Sequence, residues 1–260
     1  MAAEDKSYRE ATGMHTRLHK CALLVDESRA YWQRRACTGK VPTSKEAFEQ
    51  CWFGAKSLSW VTLLLLNLRT RYDAFPESHG VLQCWTAMTP DTRAAICHWH
   101  MQLTDPLYRA FTGDYLVSRG ELTNPEIHVN SVVSWVNNNG QASWTLATKK
   151  KLASRLLSVA YSAGFITGRR DPRIPVFPRI NDEALTYILY LLRDISTSGS
   201  RLNNPYLRSV GLAGPVLEAR LRKLPAMKFQ RVADVVEFNW KYPTLAAWAE
   251  AELTNYEVAS

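Results

Sequence analysis

Apolar residues recur along this chain every three to four positions and seldom every second one, a pattern that predicts a mainly helical, all-α protein. The first helix is expected over 19–35. Ser44 reads as the N-cap of a short helix reaching Trp52, with Glu46 and Glu49 in agreement. Gly54-Ala55-Lys56 then makes a turn, and Ser57 caps the next helix, 58–72. Thr89-Pro90, Asp105-Pro106 and Thr123-Asn124-Pro125 carry residue types that start helices, which predicts helices over 91–103, 107–118 and 126–137. The run Asn137-Asn138-Asn139-Gly140 breaks the pattern with residues that tolerate positive φ. The expected division is an N-terminal helical domain, 1–140, and a C-terminal one, 141–260.

Beyond the break, Leu152, Leu156, Val159 and Ala163 form a helical stripe widened by Ala153, Leu157 and Ala160, while Lys151, Ser154, Arg155, Ser158 and Ser162 line the other side. Such a helix lies on a core and turns a basic, hydroxyl-bearing face outward. Gly164 closes it, ahead of the loop Gly168-Arg169-Arg170-Asp171-Pro172-Arg173. Asp182 is expected to cap a helix over 183–195. Asn203-Asn204-Pro205 starts a short helix that Gly211 ends, and Gly214-Pro215 opens another, with Leu217, Leu221 and Leu224 inward and Arg220 and Lys223 outward.

Two segments, 44–72 and 205–223, therefore read as helix, short turn, helix, the arrangement of a DNA-binding helix-turn-helix. Val236, Phe238, Trp240 and Tyr242 alternate with Glu237, Asn239 and Lys241, predicting a half-buried strand and, with it, a small β wing after the second unit. Pro243 then starts a closing helix.

Charge sharpens this picture because it is concentrated. The net charge is +8, yet 145–231 holds sixteen Lys and Arg against five Asp and Glu, so the remainder is net acidic. Lys149, Lys150 and Lys151 near a helix N-terminus oppose the helix dipole at about 0.3–1 kcal/mol each, so a role other than helix stability is expected for them. A phosphate backbone is the expected partner. The candidate nucleic-acid-binding residues are Lys149, Lys150, Lys151, Arg155, Arg169, Arg170 and Arg173 in one cluster. Arg201, Arg208, Arg220, Arg222 and Lys223 form a second around the later turn, and Arg69 and Arg71 close the first unit. Lys and Arg mostly position a duplex by its phosphates; Arg220 is the candidate base reader, through bidentate pairing with guanine.

Other chemistry is weaker. Cys97-His98-Trp99-His100 places its two imidazoles on different sides of a helix and reads as buried packing, and His15 and His19 share helical spacing without an intervening Glu. Five widely spaced cysteines lack any Cys-x-x-Cys pair, and the tryptophans, Trp144 included, read as core. With no Gly-rich phosphate loop, nucleophile elbow or paired carboxylates, the expectation is a non-enzyme without metal, cofactor or small-molecule substrate. The apolar stretch 61–66 is far short of the roughly 20 residues of a membrane span, and residues 1–6 lack a signal-peptide core. A soluble cytoplasmic protein is expected.

Three stretches in order carry a family resemblance: Leu23-Leu24-Val25-Asp26-Glu27-Ser28-Arg29; the run from Ser57 that ends Asn67-Leu68-Arg69-Thr70-Arg71-Tyr72; and Trp144-Thr145 leading through Lys151-Leu152 to Gly164-Phe165-Ile166. The chain resembles the BrxA family, a core component of bacterial BREX phage-defence systems. The resemblance implies two helix-turn-helix units with a positive surface between them, binding double-stranded DNA without catalysis beside other BREX defence proteins. Two alternatives stay open: a structural adaptor that docks its basic loop on an acidic partner, and a helix-turn-helix transcriptional regulator.

Overall fold

The computed structural model describes residues 8–232 and 235–253; residues 1–6, read above for a signal peptide, lie outside them. The protein is mainly helical, and most helices begin where a short polar side chain accepts a hydrogen bond from a backbone N–H in the first turn. Leu24 adopts a left-handed conformation, φ 58°, so α1 (Val25–Thr38) begins later than the periodicity predicts, after a separate 3-10 turn, Arg17–His19. Thr43 and Glu46 form a reciprocal capping box at the start of α2 (Ser44–Glu49), one residue ahead of the expected Ser44 cap. Ser57 caps α3 (Leu58–Tyr72), at the predicted bounds.

The helix α4 (Pro76–Cys84) is not among those read from the sequence: Pro76 stands at its first position, but no capping side chain precedes it and Gly80 interrupts it. Thr89 caps α5 (Pro90–Thr104). Asp105 caps α6 (Pro106–Ala110), which runs through a π-helical turn, Phe111–Tyr115, into α7 (Leu116–Gly120). Next come α8 (Val129–Asn139) and α9 (Leu146–Ser162), the latter capped by Thr145. Asn181, not Asp182, caps α10 (Asp182–Arg193). The chain continues through α11 (Pro205–Arg208) and α12 (Gly214–Leu221) to α13 (Leu245–Glu252).

Strands are few among the described residues. β1 (Tyr8–Arg9) pairs in parallel with β2 (Ile195–Ser196), and β3 (Met227–Val232) pairs antiparallel with β4 (Val235–Trp240), setting Phe229 opposite Phe238 and Met227 opposite Trp240. β4 is the strand read from the alternation; β3 is its unread partner.

The core forms around α5, which is buried on nearly every side from Thr92 to Thr104. A helix with no solvent face must satisfy its polar groups internally. His98 does so with Tyr108 and Ser209, each at 2.9 Å, and His100 with the Arg71 carbonyl at 3.0 Å and the Tyr187 hydroxyl at 2.7 Å. Trp99 Nε1 donates to the Tyr206 carbonyl at 3.1 Å. The Cys97-His98-Trp99-His100 run is thus core, as read. Buried side chains from before and after the 137–140 break join one contiguous cluster. Among the described residues no helix is long and apolar enough to cross a membrane.

Candidate nucleic-acid interface

α8 and α9 pack against each other across a short turn whose tightness has a local cause. A Cβ on Gly140 would come within 2.7 Å of the Val136 carbonyl oxygen and 2.8 Å of the Trp144 ring, so only glycine lets the chain turn there. α9 buries Leu152, Ala153, Leu156, Leu157, Val159 and Ala160 and leaves Lys150, Lys151, Ser154, Arg155 and Ser158 exposed, the division its periodicity predicts.

Gly164, at φ +77°, then reverses the chain. The segment after it forms a small antiparallel ladder: Thr167 N–H donates to the Ile174 carbonyl at 2.9 Å, Val176 N–H to the Phe165 carbonyl at 2.8 Å, and Ile127 and Arg173 exchange backbone bonds of 2.7 and 3.0 Å. The basic loop 168–173 is the tip of that ladder. Helix, turn, helix and β loop therefore form one continuous unit over 127–176. The sequence reading missed this pairing, since it placed its helix-turn-helix units at 44–72 and 205–223 and saw the Asn-rich run as a boundary.

Arg169 and Arg173 line a surface depression of about 400 Å³ together with Ser154, Ser158, Tyr161 and Ser162 of α9. The Arg169 guanidinium sits 5.2 Å above the Tyr161 ring. Arg170 is exposed in the same loop. Lys149 is drawn inward instead: it is 8% exposed, and its Nζ donates to Asn137 Oδ1 at 2.9 Å, which ties α9 to α8. Arg173 pairs with Asp171 and donates to the Arg169 carbonyl at 2.8 Å, so its charge is largely spent within the loop.

Sequence reasoning also missed a long-range contact. The turn Arg17–His19 packs on α9 from more than a hundred residues away in sequence, while Arg17 itself lines a separate pocket with His15, Asn67 and Thr70. Partial burial holds the His19 imidazole below its ordinary value, against a hydrogen bond to the Thr148 backbone and with help from the nearby Lys151 and Arg155 charges. No local pattern marks Arg17–His19 as a neighbour of α9; only the packing does.

The second cluster is built differently. α11 and α12 are again helix, turn, helix, followed by the β3–β4 hairpin, but their arginines are engaged. Arg220 pairs with Asp182 and donates to the Ile180 carbonyl at 3.0 Å, which anchors α12 to the start of α10. Glu218 takes both Arg222, at 3.0 Å, and Arg231. Arg208 pairs with Asp114 and donates to the Gly113 carbonyl and to Asn203. Lys223 is exposed, beside Val216 and Ala219 on an outward face that is otherwise largely apolar. Arg201 lies apart, over the Phe238 ring at the mouth of another cavity.

The first unit contributes least. Arg71 is buried, donating to the Leu23 and Ala22 carbonyls at 2.8 and 2.7 Å, and Arg69 donates to the Pro42 carbonyl. Both guanidinium groups serve as internal clamps between α3 and the segments before it. The structure therefore sets Arg169 against the serine face of α9, leaves Lys150, Lys151 and Arg155 exposed on that helix and Arg170 exposed in the same loop, and ties down Arg69, Arg71, Arg208, Arg220 and Arg222.

Comparison with known proteins adds two findings. The BrxA family model matches residues 15–188, well over half of the chain, from the 3-10 turn into α10. The fold is similar to the crystal structure of an uncharacterized protein from Magnetospirillum magneticum, with a TM-score of 0.56 and 14% identity, covering 76% of this chain and 97% of that one. No curated protein matches.

Proposed function

We propose that this chain, which belongs to the BrxA family and so to BREX phage defence, is a non-catalytic subunit that grips double-stranded DNA through α9 and the loop 168–173. One observation carries the reading. Ser154, Ser158 and Ser162 of α9 and Arg169 and Arg173 of the β loop line one depression, no acidic side chain lines it among the described residues, and Lys150, Lys151 and Arg155 are exposed on the same helix. Helix, turn, helix and β loop in this order is the winged-helix arrangement, in which the second helix enters the major groove and the loop follows the neighbouring backbone.

On this reading Lys150, Lys151 and Arg155 lie along the groove edges, Ser154 and Ser158 add short hydroxyl donors, and Arg169 and Arg170 reach adjacent phosphates. Lys149 acts indirectly, fixing the angle between α8 and α9 through Asn137. Phosphate contacts of this kind supply affinity rather than sequence choice. The unit formed by α11 and α12 has the same order of elements, but Arg208, Arg220 and Arg222 are paired with Asp114, Asp182 and Glu218, so its share of the electrostatic binding is small. The adaptor reading gains less support, because the exposed positions of α9 from Lys150 to Ser158 are cations and serines, and the nearby Tyr161 ring already carries the Arg169 guanidinium.

The test is duplex binding across a salt series, for the native chain and for a variant carrying K150Q, K151Q, R155Q, R169Q and R170Q. Affinity should fall, and the slope of log affinity against log salt should flatten by about 0.9 for each phosphate that the variant no longer neutralises. A slope that does not change rules the surface out.

A further inference from the structure

The position of Arg201, away from the basic surface, leads to a second site. A cavity of about 260 Å³ opens between α10, the loop 196–204 and the inner face of β4. Leu189, Leu192 and Ile195 form its apolar side. Phe238 and Trp240, two residues apart and therefore on one face of the strand, form an aromatic wall with rings 15° from parallel and centroids 6.1 Å apart. Both rings are only half-buried, because the cavity lies in front of them.

The remaining lining is polar. Ile195 leads into Ser196-Thr197-Ser198-Gly199-Ser200-Arg201, a hydroxyl-dense loop held in place from below. Ser198 N–H donates to Glu10 Oε1 at 2.8 Å, and Glu10 is itself buried against Arg109 and Tyr206. Gly199 is at φ +95°, and a Cβ there would lie 2.5 Å from the Asn203 carbonyl oxygen, so the loop closes in a form only glycine allows. Ser200 Oγ accepts from Asn203 N–H at 3.0 Å, which leaves its own proton to donate elsewhere.

The two arginines at this cavity differ. Arg193 pairs with Asp194, donates to the Pro243 carbonyl at 2.8 Å and stacks on both Tyr190 and Trp240, so it braces the wall. Arg201 meets no carboxylate among the described residues. Its guanidinium rests 5.8 Å from the Phe238 centroid, near the outer limit of about 6 Å for a cation–π contact, and it is exposed and free to swing toward an anion.

A flat aromatic wall, a ring of hydroxyls and one uncommitted guanidinium are complementary to a planar base that carries a phosphate. The volume, about 260 Å³, lies just below the range of about 300–1,000 Å³ for ligand cavities, and suits one nucleotide rather than two. We infer that this cavity binds a single nucleotide unit, its base against Phe238 and Trp240 and its phosphate on Arg201 and the Ser196–Ser200 loop. The nucleotide has two sources, a free mononucleotide or an unpaired nucleotide of a strand. The site uses none of the α9 surface and stands or falls separately from it.

The experiment is calorimetric titration of the full chain with each of the four common nucleoside 5′-monophosphates and, in parallel, with a short single-stranded oligonucleotide. Saturable one-to-one binding is expected in at least one arm, weakened roughly tenfold or more by R201Q through loss of the charged hydrogen bonds, and weakened by F238L. Binding of monophosphates assigns the free nucleotide; binding of the oligonucleotide alone, with the same sensitivity to R201Q and F238L, assigns the strand. Absence of binding in both arms, or binding indifferent to R201Q and F238L, overturns the site. Arg201 is exposed, so R201Q folds as the native chain does and keeps the test decisive.

Discussion

Asp171 Oδ2, in the basic loop, accepts a hydrogen bond of 2.7 Å from the backbone N–H of Val129, the first residue of α8. A carboxylate at a helix N-terminus satisfies an otherwise unpaired donor and meets the positive end of the helix dipole. The same side chain pairs with Arg173. The one acid in a strongly basic loop thus fastens the loop to the helix before α9, and sets where Arg169 and Arg170 stand.

Asp171→Ala should therefore loosen the loop while leaving the core intact. The expected cost is about 1 kcal/mol, the usual value for losing a helix cap. Amide hydrogen exchange should rise across 166–175 and at the start of α8, with little change in α5. Exchange confined to native levels across the loop would show that the ladder alone holds it.

Gly113 sits in the π-helical turn against Pro205, the first residue of α11, and a Cβ there would fall 2.8 Å from Pro205 Cα and 2.9 Å from its carbonyl oxygen. Gly113→Ala forces α11 away from its seat. Overpacking of this kind costs about 1–3 kcal/mol, which chemical denaturation would read directly. The Arg208 hydrogen bond to the Gly113 carbonyl should weaken with it.

Arg71 and Lys151 should separate stability from binding. Arg71→Gln removes charged donors from two buried carbonyls, at a cost of about 1.5–3 kcal/mol, and should leave the salt dependence of DNA binding unchanged. Lys151→Gln should lower that salt dependence and leave the denaturation midpoint nearly unmoved. Urea titration and duplex binding on the two variants give the four numbers needed.

The buried histidines predict a pH response. Burial lowers both His98 and His100 from 6.5 to about 3, opposed for His100 by its bond to the Arg71 carbonyl. The unfolded chain takes up a proton on each imidazole as pH falls through 6.5, whereas the folded chain resists until near 3. The stability these groups confer is complete above 6.5 and is lost on acidification through that window. At pH 5 the loss is roughly 2 kcal/mol for each histidine. His98→Gln should halve this part of the dependence, read from urea midpoints between pH 7.5 and 5.

Helix starts and helix faces were legible in the chain itself, because both depend on residues a few positions apart. Ser57, Thr89 and Asp105 cap the helices that follow them, and the inner and outer sides of α9 divide as the periodicity indicates. The half-buried strand at Phe238 and Trp240 was legible for the same reason. What the sequence could not state is which cations are free. Lys149 lies beside Lys150 and Lys151 in sequence, yet a rotation of about 100° per residue along the helix carries it inward to Asn137.

Arg208 finds Asp114, Arg220 finds Asp182, and Arg71 finds the carbonyls of residues 22 and 23, all through contacts dozens of residues long in sequence. The ladder that joins Ile127 to Arg173, and holds the basic loop against the start of α8, is of the same kind. By itself the sequence determined a mainly helical chain with its positive charge concentrated in the second half. The tertiary structure decided where that charge is available, because pairing and burial act through distance in space, and neither is written in the spacing of neighbours along the chain.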